Sequence, residues 1–422
     1  MNIATRNAAR LSRSLPFYYG WVVLGCAGCA AFVRQGAAVA TLTVFVAPMS
    51  AEFEWSRTEF SGAVSLGGLL AALTAPAIGA LADRRGSGLI LSVAALVLGL
   101  AALALSQTNT LLWFYIAYCI ARMTFASPFD IGVSSAVAQW FVRRRAEAMS
   151  YMNVVLSISL ASTPMLVFVA MSYGDWRNGW IAIGVLALSV GIAPNLLLHA
   201  RRPEDIGLTP DPSSGHDDAT TAVSTAPPEP DFTRREALRT PALWLLMGFS
   251  VFIFPVQAGI SLHQMPHLIE RGLTPLMAVT AVSSFSVIGA ISGLLYGRFS
   301  RRYSARLGLF VGALAMSLSA TVLLNVHAPW QAFVGTGLFG FGIGGVSTLL
   351  PVIWAEYYGR QNFGAIRGVT LSVQVLAQAS GPLIAGVLRD WTGDYNTSLS
   401  LFSVYALVAG LLVFLAQKPL RT

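Results

Sequence analysis

The chain is 422 residues long, 55% hydrophobic and only 11% charged, with a mean hydropathy of +0.65. A water-soluble domain carries about a quarter charged residues, so that class is excluded. The formal charge of +8 would suit a nucleic-acid partner if the basic residues formed one aqueous face, but they are spread through short breaks between apolar runs.

In chain order, a basic tail (Arg6, Arg10, Arg13) leads into an apolar run of about thirty residues. That is too long for the core of a signal peptide, so the run counts as a first membrane span. Apolar runs and polar breaks together predict twelve transmembrane helices, at about 18–47, 58–80, 88–106, 109–141, 146–170, 176–199, 241–270, 275–297, 305–325, 329–355, 363–388 and 395–416. The segment 200–240 is rich in proline, acids, Ser and Thr with few large apolar residues; it cannot bury a core and reads as a mobile linker. The expected organisation is an all-α membrane protein with an N-terminal six-helix bundle (1–199), a linker (200–240) and a C-terminal six-helix bundle (241–422).

The basic residues set the expected topology. The termini and even-numbered loops hold most of the 27 Arg and Lys residues, whereas the opposite face has Arg57, Arg177, Arg271 and Arg389. Both termini and the linker are therefore expected in the cytoplasm. On this count Arg367 falls with the cytoplasmic loop residues, which leaves Arg34 and Arg122 as the bases inside spans.

An internal repeat points the same way. Gly79-x-x-x-Asp83-Arg84 returns in degraded form as Gly297-x-x-x-Arg301-Arg302, and Trp140-Phe141-Val142-Arg143 returns as Tyr357-Tyr358-Gly359-Arg360. Two halves of one ancestry suit a transporter whose site lies between them. The run Gly79-Ala80-Leu81-Ala82-Asp83-Arg84-Arg85-Gly86 reads as a tight charged loop between spans 2 and 3, and it resembles the signature loop of the major facilitator superfamily. Ser87-Gly88 stands where that signature usually has a basic pair. Tyr19-Gly20-Trp21-Val22-Val23, Glu52 to Glu59, His263-x-x-Pro266 and Ala355-Glu356-Tyr357-Tyr358-Gly359-Arg360 resemble the monocarboxylate porter and oxalate:formate antiporter group within it.

Ionised side chains at a span centre cost at least about 2.5–3.5 kcal/mol each and are rare for that reason. Arg34 in span 1 and Arg122 and Asp130 in span 4 are the three candidates. On a continuous helix Arg122 and Asp130 lie about 12 Å apart along the axis and about 80° round it, with Ser127 and Ser134 beside Asp130. The resemblance implies that spans 1, 4, 7 and 10 line a central cavity. Two arginines against one carboxylate leave a net positive site that an anion would complete, and Asp130 is the candidate for carrying a coupled proton. A static Arg34–Asp130 packing pair is the competing reading. Gln257 and His263 in span 7 and Gln374 and Gln378 in span 11 are further candidate substrate contacts, with His263 near the outer mouth. By resemblance, Gly79, Asp83, Arg84 and Gly86 form a cytoplasmic gate, in which Asp83 is attracted to Arg143, Arg144 and Arg145 and to the positive N-terminal end of span 11.

Several motifs carry less. Cys26, Cys29 and Cys119 lie in apolar runs and supply neither a disulfide framework nor a second ligand pair for a metal. His263 and His267, one turn apart, lack a carboxylate or thiol. Gly335-x-Gly337-x-x-Gly340-x-Gly342 has no preceding strand and reads as close helix packing. Ser56-x-x-Glu59 is a capping box for span 2. No nucleophile, base and orienting acid occur together, so neither an enzyme nor a cofactor is expected. The departure from the resembled group is in span 8, which has no charge before Arg298.

The function expected is secondary transport of a small organic anion, a monocarboxylate first, coupled to a proton by alternating access. The expected setting is a monomer in a bacterial inner membrane, with the lipid bilayer as its other partner and no nucleic acid. Efflux of hydrophobic or cationic compounds and a non-transporting sensor on the same scaffold remain open.

Overall fold

Most of these apolar runs become helices close to their predicted lengths. The computed structural model describes residues 3–211, 230–300 and 302–419, and not the side chain of Arg57. The middle of the predicted linker (212–229) and Arg301 of the repeat lie outside the described residues. A short helix, α1 (Ile3–Leu11), precedes the first span. Then follow α2 (Gly20–Val33), a 3-10 turn (Arg34–Ala37), α3 (Val39–Phe53), α4 (Arg57–Arg85), α5 (Ser87–Ser106), α6 (Leu111–Ala126), α7 (Pro128–Trp140), α8 (Arg145–Met171), α9 (Trp176–Leu186), a π turn (Ala187–Gly191) and α10 (Ala193–Leu197). The second half comprises a single turn, α11 (Arg234–Ala237), then α12 (Pro241–Glu270), α13 (Pro275–Phe299), α14 (Ala305–Leu324), α15 (Pro329–Tyr358), α16 (Phe363–Thr392) and α17 (Asn396–Leu415). No strand occurs among the described residues. Eleven of the segments are long and apolar enough to cross a bilayer, and α6 with α7 makes the twelfth in two pieces.

Spans 1 and 4 are broken where the sequence predicts continuous helix. In span 4 the break is Ser127, at φ −124° and ψ −72°. Pro128 has no amide hydrogen to give and its ring disfavours helical backbone in the residue before it. In span 1 the α-helix stops at Arg34 and extended Ala38 re-aims the chain into α3. The Thr41 hydroxyl donates to the Gln35 carbonyl at 2.7 Å, satisfying one acceptor that the break releases. The regular-helix geometry expected between Arg122 and Asp130 therefore does not hold.

The charged run Gly79–Gly86 is also shorter as a loop than expected. Gly79 to Arg85 form the last turns of α4, and Gly86 alone, at φ +91°, separates α4 from α5. A side chain is strained at that φ, which accounts for glycine there. At the start of α4 the Ser56 side chain accepts from the Glu59 amide and Glu59 caps the Ser56 amide at 2.7 Å, as predicted.

Among the first six spans, α5 packs on α6, α7 and α9, and α2 packs on α7 and α8. Among the last six, α15 packs on α13 and α14, and α12 packs on α16 and α17. The two sets meet through α4 against α16, α8 against α13 and α15, and α7 against α15 and α16. The α4–α16 crossing depends on small residues: a Cβ on Gly79 would overlap the Gly364 carbonyl, and one on Gly368 would overlap the Ala75 carbonyl. The described ends of the chain, Ile3 and Pro419, lie at one end of the bundle. There α1 packs on α10, and the Tyr357 hydroxyl donates to the Ala416 carbonyl at 2.6 Å.

The described ends of the predicted linker are tied down rather than loose. One Asp211 oxygen accepts from the Val142 and Arg144 amides at 2.7 and 2.9 Å. Glu204 pairs with Arg360, and the Phe232 amide donates to the Tyr358 carbonyl at 3.2 Å.

Candidate functional site

The breaks in spans 1 and 4 place charged side chains at mid-membrane. Arg34 opens the 3-10 turn, and Asp130 sits in the first turn of α7, where a carboxylate meets the positive end of a helix. The side chains are 15% and 22% exposed, with Arg34 Nη1 3.8 Å from Asp130 Oδ2. The other oxygen, Oδ1, accepts from Arg367 Nη2 at 2.7 Å. Asp130 is thus shared between an arginine of the first six spans and one of the last six.

Arg367 corrects the sequence reading. Counted there with the cytoplasmic loop residues, it lies one turn inside α16 with a side chain only 2% exposed. Basic charge at the site therefore comes from both halves, not from Arg34 and Arg122 alone. α16 begins at Phe363, so a base at 367 is already inside the interface.

Among the described residues Arg122 has no carboxylate partner. Its guanidinium carbon lies 4.5 Å from the centre of the Phe125 ring, and that of Arg34 lies 4.5 Å from the same centre. The two cations are thus no farther apart than twice that distance. The Arg122 stem lies over Gly67 of α4, where a Cβ would come within 2.6 Å of it. An aromatic face attracts cations and partly offsets the repulsion between them.

Five guanidinium nitrogens in this cluster are buried without a hydrogen-bond partner: Arg34 Nε, Arg122 Nε and Nη1, and Arg367 Nε and Nη1. The Ser127 hydroxyl and Gln374 Oε1 are buried and unpartnered too. Each such group costs about 1–3 kcal/mol, and more when charged. The cluster thus sets three arginines, which hold their protons in proteins, against a single carboxylate, which two of them contact. Such a cluster is chemically suited to receive an anion.

The polar candidates in the last six spans divide. Gln374 and Gln378 follow Arg367 by seven and eleven residues, within about 20° of its face on a regular helix. Gln378 and Gln257 are half-buried. His263 is engaged within its own set: Nε2 lies 3.2 Å from the Pro382 carbonyl and Nδ1 lies 3.3 Å from the Tyr395 hydroxyl. A carbonyl can only accept, so Nε2 carries the hydrogen and Nδ1 accepts from tyrosine. His267 points to the Leu323 carbonyl at 2.8 Å. No cluster of three metal-ligating side chains occurs among the described residues.

Toward the end that carries the termini, a seam of bonds closes the interface. Asp83 accepts from the Gly364 and Ala365 amides of the first turn of α16, at 2.8 and 2.7 Å, which is the helix-end attraction expected. The other expected attraction is not seen: Arg144 pairs with Glu147 at 2.7 Å and lies over Trp21, Arg145 donates to the Ala138 carbonyl, and Arg84 and Arg143 are exposed. The triplet follows a helix end in its own bundle, and α16 reaches Asp83 first. Beside it, Gln139 and Arg360 exchange bonds with each other's carbonyls, Asn153 donates to Thr348, and Ser372 donates to the Ala72 carbonyl at 2.5 Å. At the far end, Arg177 pairs with Glu52 at 2.6 Å and Arg389 with Glu270 at 2.8 Å, each within its own set.

The sequence model of the Major Facilitator Superfamily matches residues 24–280 and again 265–422. The chain belongs to that superfamily. Superfamily relatives include the membrane sensor protein UhpC of Salmonella typhimurium, 31% identical over 314 residues, which are 67% of this chain and just under two thirds (66%) of that protein. Monocarboxylate transporter 11 of Mus musculus is 24% identical over 92% of this chain and 85% of its own. The crystal structure of the human organic anion transporter MFSD10 (TETRAN) superposes with a TM-score of 0.68 at 15% identity, covering 97% of this chain and 99% of that one, and shares the fold. The protein is thus a multi-pass membrane protein of the superfamily, and the likeness to the monocarboxylate group is borne out by its relatives.

Sequence reasoning missed Arg367, Phe125 and the Gln139–Arg360 exchange. Ser127-Pro128 was a readable signal for the break in span 4. Phe125 had none, because an aromatic residue in an apolar run is ordinary.

Proposed function

We propose that the protein is a secondary active transporter that moves a small organic anion, a monocarboxylate first, together with a proton by alternating access. The observation that carries this reading is the excess of buried, unpartnered guanidinium groups over carboxylates between the two sets of spans. Arg34 and Arg122 take the substrate carboxylate, with Gln374, Gln378 and Gln257 as polar contacts and His263 at the outer side. The bundles 1–199 and 241–422 rock about this site, joined by the linker 200–240. Both termini lie in the cytoplasm of a bacterial inner membrane, on the strength of the basic loops, and the protein acts as a monomer.

With the seam at the terminal end bonded, the state described faces outward. Movement of α16 away from α4 and α7 breaks Asp83 from α16 and Asp130 from Arg367. Asp130 then has Arg34 as its remaining partner and is the group assigned to the coupled proton. Substrate carboxylate on the arginines lowers the cost of the move by supplying the missing negative charge.

The test is uptake of labelled lactate and pyruvate into proteoliposomes across a pH gradient. Arg34→Gln and Arg122→Gln should each cut uptake by roughly 10–150-fold, the worth of a charged hydrogen bond of about 1.5–3 kcal/mol. Lysine at either position should not restore it, because a bidentate grip needs the guanidinium fork. Asp130→Asn should keep anion exchange but lose the pH drive. Wild-type uptake that neither arginine substitution alters would end this reading. The relative UhpC, named a membrane sensor, supports a second one: a sensor would bind the anion with the same arginines and carry no flux.

A further inference from the structure

At the end that carries both termini, a groove of about 680 Å³ opens on the outside of the last six spans, between α13, the turn after it, α14 and α15. It lies apart from the arginine cluster, and nothing in the transport reading uses it. Its apolar wall is Leu295, more than half exposed, with Val311 of α14 and Phe341 of α15. The Tyr296 ring, buried and tilted 5.0 Å from Phe341, forms the floor. At its mouth Phe299 stacks on Tyr303 at 4.3 Å, an aromatic pair at a helix end, the level at which such rings sit in a bilayer.

The mouth also holds Arg298 and Arg302, both exposed, whose side chains have no hydrogen bond or carboxylate partner among the described residues. Three other interfacial arginines differ in this respect. Arg144 has Glu147, Arg177 has Glu52, and Arg389 has Glu270. A long apolar channel that ends in two unpaired guanidinium groups at the membrane surface has the shape and charge of one occupant, an acyl chain with an anionic head.

We propose that this groove is a binding site for an anionic phospholipid, its phosphate held between Arg298 and Arg302 and one acyl chain laid along Leu295, Val311 and Phe341. Basic pockets between membrane helices recognise head groups in this way, and each arginine near the surface adds enough attraction that two together favour an anionic over a zwitterionic lipid by roughly tenfold to thirtyfold. The site depends neither on the direction of transport nor on the substrate.

The test uses the purified full-length protein, stripped of lipid in detergent and titrated with phosphatidylglycerol or phosphatidylcholine of identical chains, with bound lipid counted by native mass spectrometry. Wild type should bind phosphatidylglycerol about tenfold or more tightly than phosphatidylcholine. Arg298→Gln with Arg302→Gln should bring the two lipids near parity, and Arg302→Gln alone should remove about half of the preference on a logarithmic scale. Arg234→Gln with Arg235→Gln, at the same end but outside the groove, should keep it. Phe341→Trp, which fills the apolar wall, should weaken both lipids alike. A wild type without preference overturns the proposal, as does a preference that survives loss of Arg302 and of both groove arginines, or one lost equally with Arg234 and Arg235.

Discussion

The mid-membrane arginine cluster and the seam toward the termini are built from similar residue types and differ in how completely those residues are satisfied. In the seam both Asp83 oxygens are bonded, Arg360 is bonded to Gln139 and Glu204, and glycines let α4 and α16 touch, with Gln139 Oε1 and the nearby Arg145 Nε left buried without a hydrogen bond. In the cluster Arg34 and Arg367 share one carboxylate, Arg122 has none among the described residues, and all three leave buried nitrogens without partners. Completed polar contacts hold one conformation, whereas incomplete ones in a buried place store a cost that a ligand can relieve. The seam is thus read as structure and the cluster as the place of work.

The largest expected effect probes the one bond that belongs to both regions. Arg367→Gln removes the closer partner of Asp130 and leaves a buried carboxylate with Arg34 at 3.8 Å. Loss of one member of a buried pair costs about 3–5 kcal/mol, so the unfolding midpoint in detergent should fall clearly. An unchanged midpoint would mean that the pair is not held in the membrane-embedded protein.

Next comes the glycine seam. Gly79→Val drives a side chain into the Gly364 carbonyl and should weaken closure at the terminal end by about 1–3 kcal/mol, the usual cost of overpacking. Single cysteines placed at Arg84 and Arg143 should then react faster with a water-soluble thiol reagent. Equal rates in parent and variant would show that the seam does not govern access at that end.

The third prediction concerns pH and lies outside both regions. His199, in the loop after α10, is buried between the Ser87 hydroxyl at 3.0 Å and Asn195 at 2.9 Å. Burial holds its pKa down at about 3, against an ordinary value of 6.5. A depressed histidine favours the neutral form in the folded state. Its contribution is therefore fully present above about pH 6.5 and is lost as pH falls toward 3, at up to about 1.4 kcal/mol per unit. Between pH 7 and 5 the wild-type midpoint should drop more than that of His199→Gln, and parallel curves would contradict the assignment. The smallest effect is Ser56→Ala, which removes the cap of α4 and should cost about 1 kcal/mol.

The spans and the capping box were legible in the sequence because each rests on local pattern, apolar length and a four-residue spacing, whereas the partner of Asp83 on α16 was legible only through the family resemblance. The cluster was legible in half. Arg34, Arg122 and Asp130 stand out because charge is rare inside a span, but Arg367 sits four residues from the start of its helix, where a base reads as a loop residue. Only the tertiary crossing of α16 over α7 buries it. Phe125 becomes notable for the same reason, through two cations that approach it from different helices. The Arg143–Arg145 triplet misled in the opposite sense. Its charge suggested Asp83 as the partner, which the first turn of α16 takes instead; Arg144 pairs with Glu147, and Arg145 has the Ala138 carbonyl and the charge of Glu356 on α15.

The measurement that tests the central claim most directly is the thermal unfolding midpoint of Arg122→Gln beside wild type, each with and without millimolar lactate. A buried cation with no carboxylate destabilises the empty protein, so the account predicts that the substitution leaves the ligand-free midpoint unchanged or raises it, while abolishing the rise that lactate gives wild type. A ligand-free midpoint that falls by several degrees, or a lactate-induced rise that survives the loss of Arg122, would contradict it.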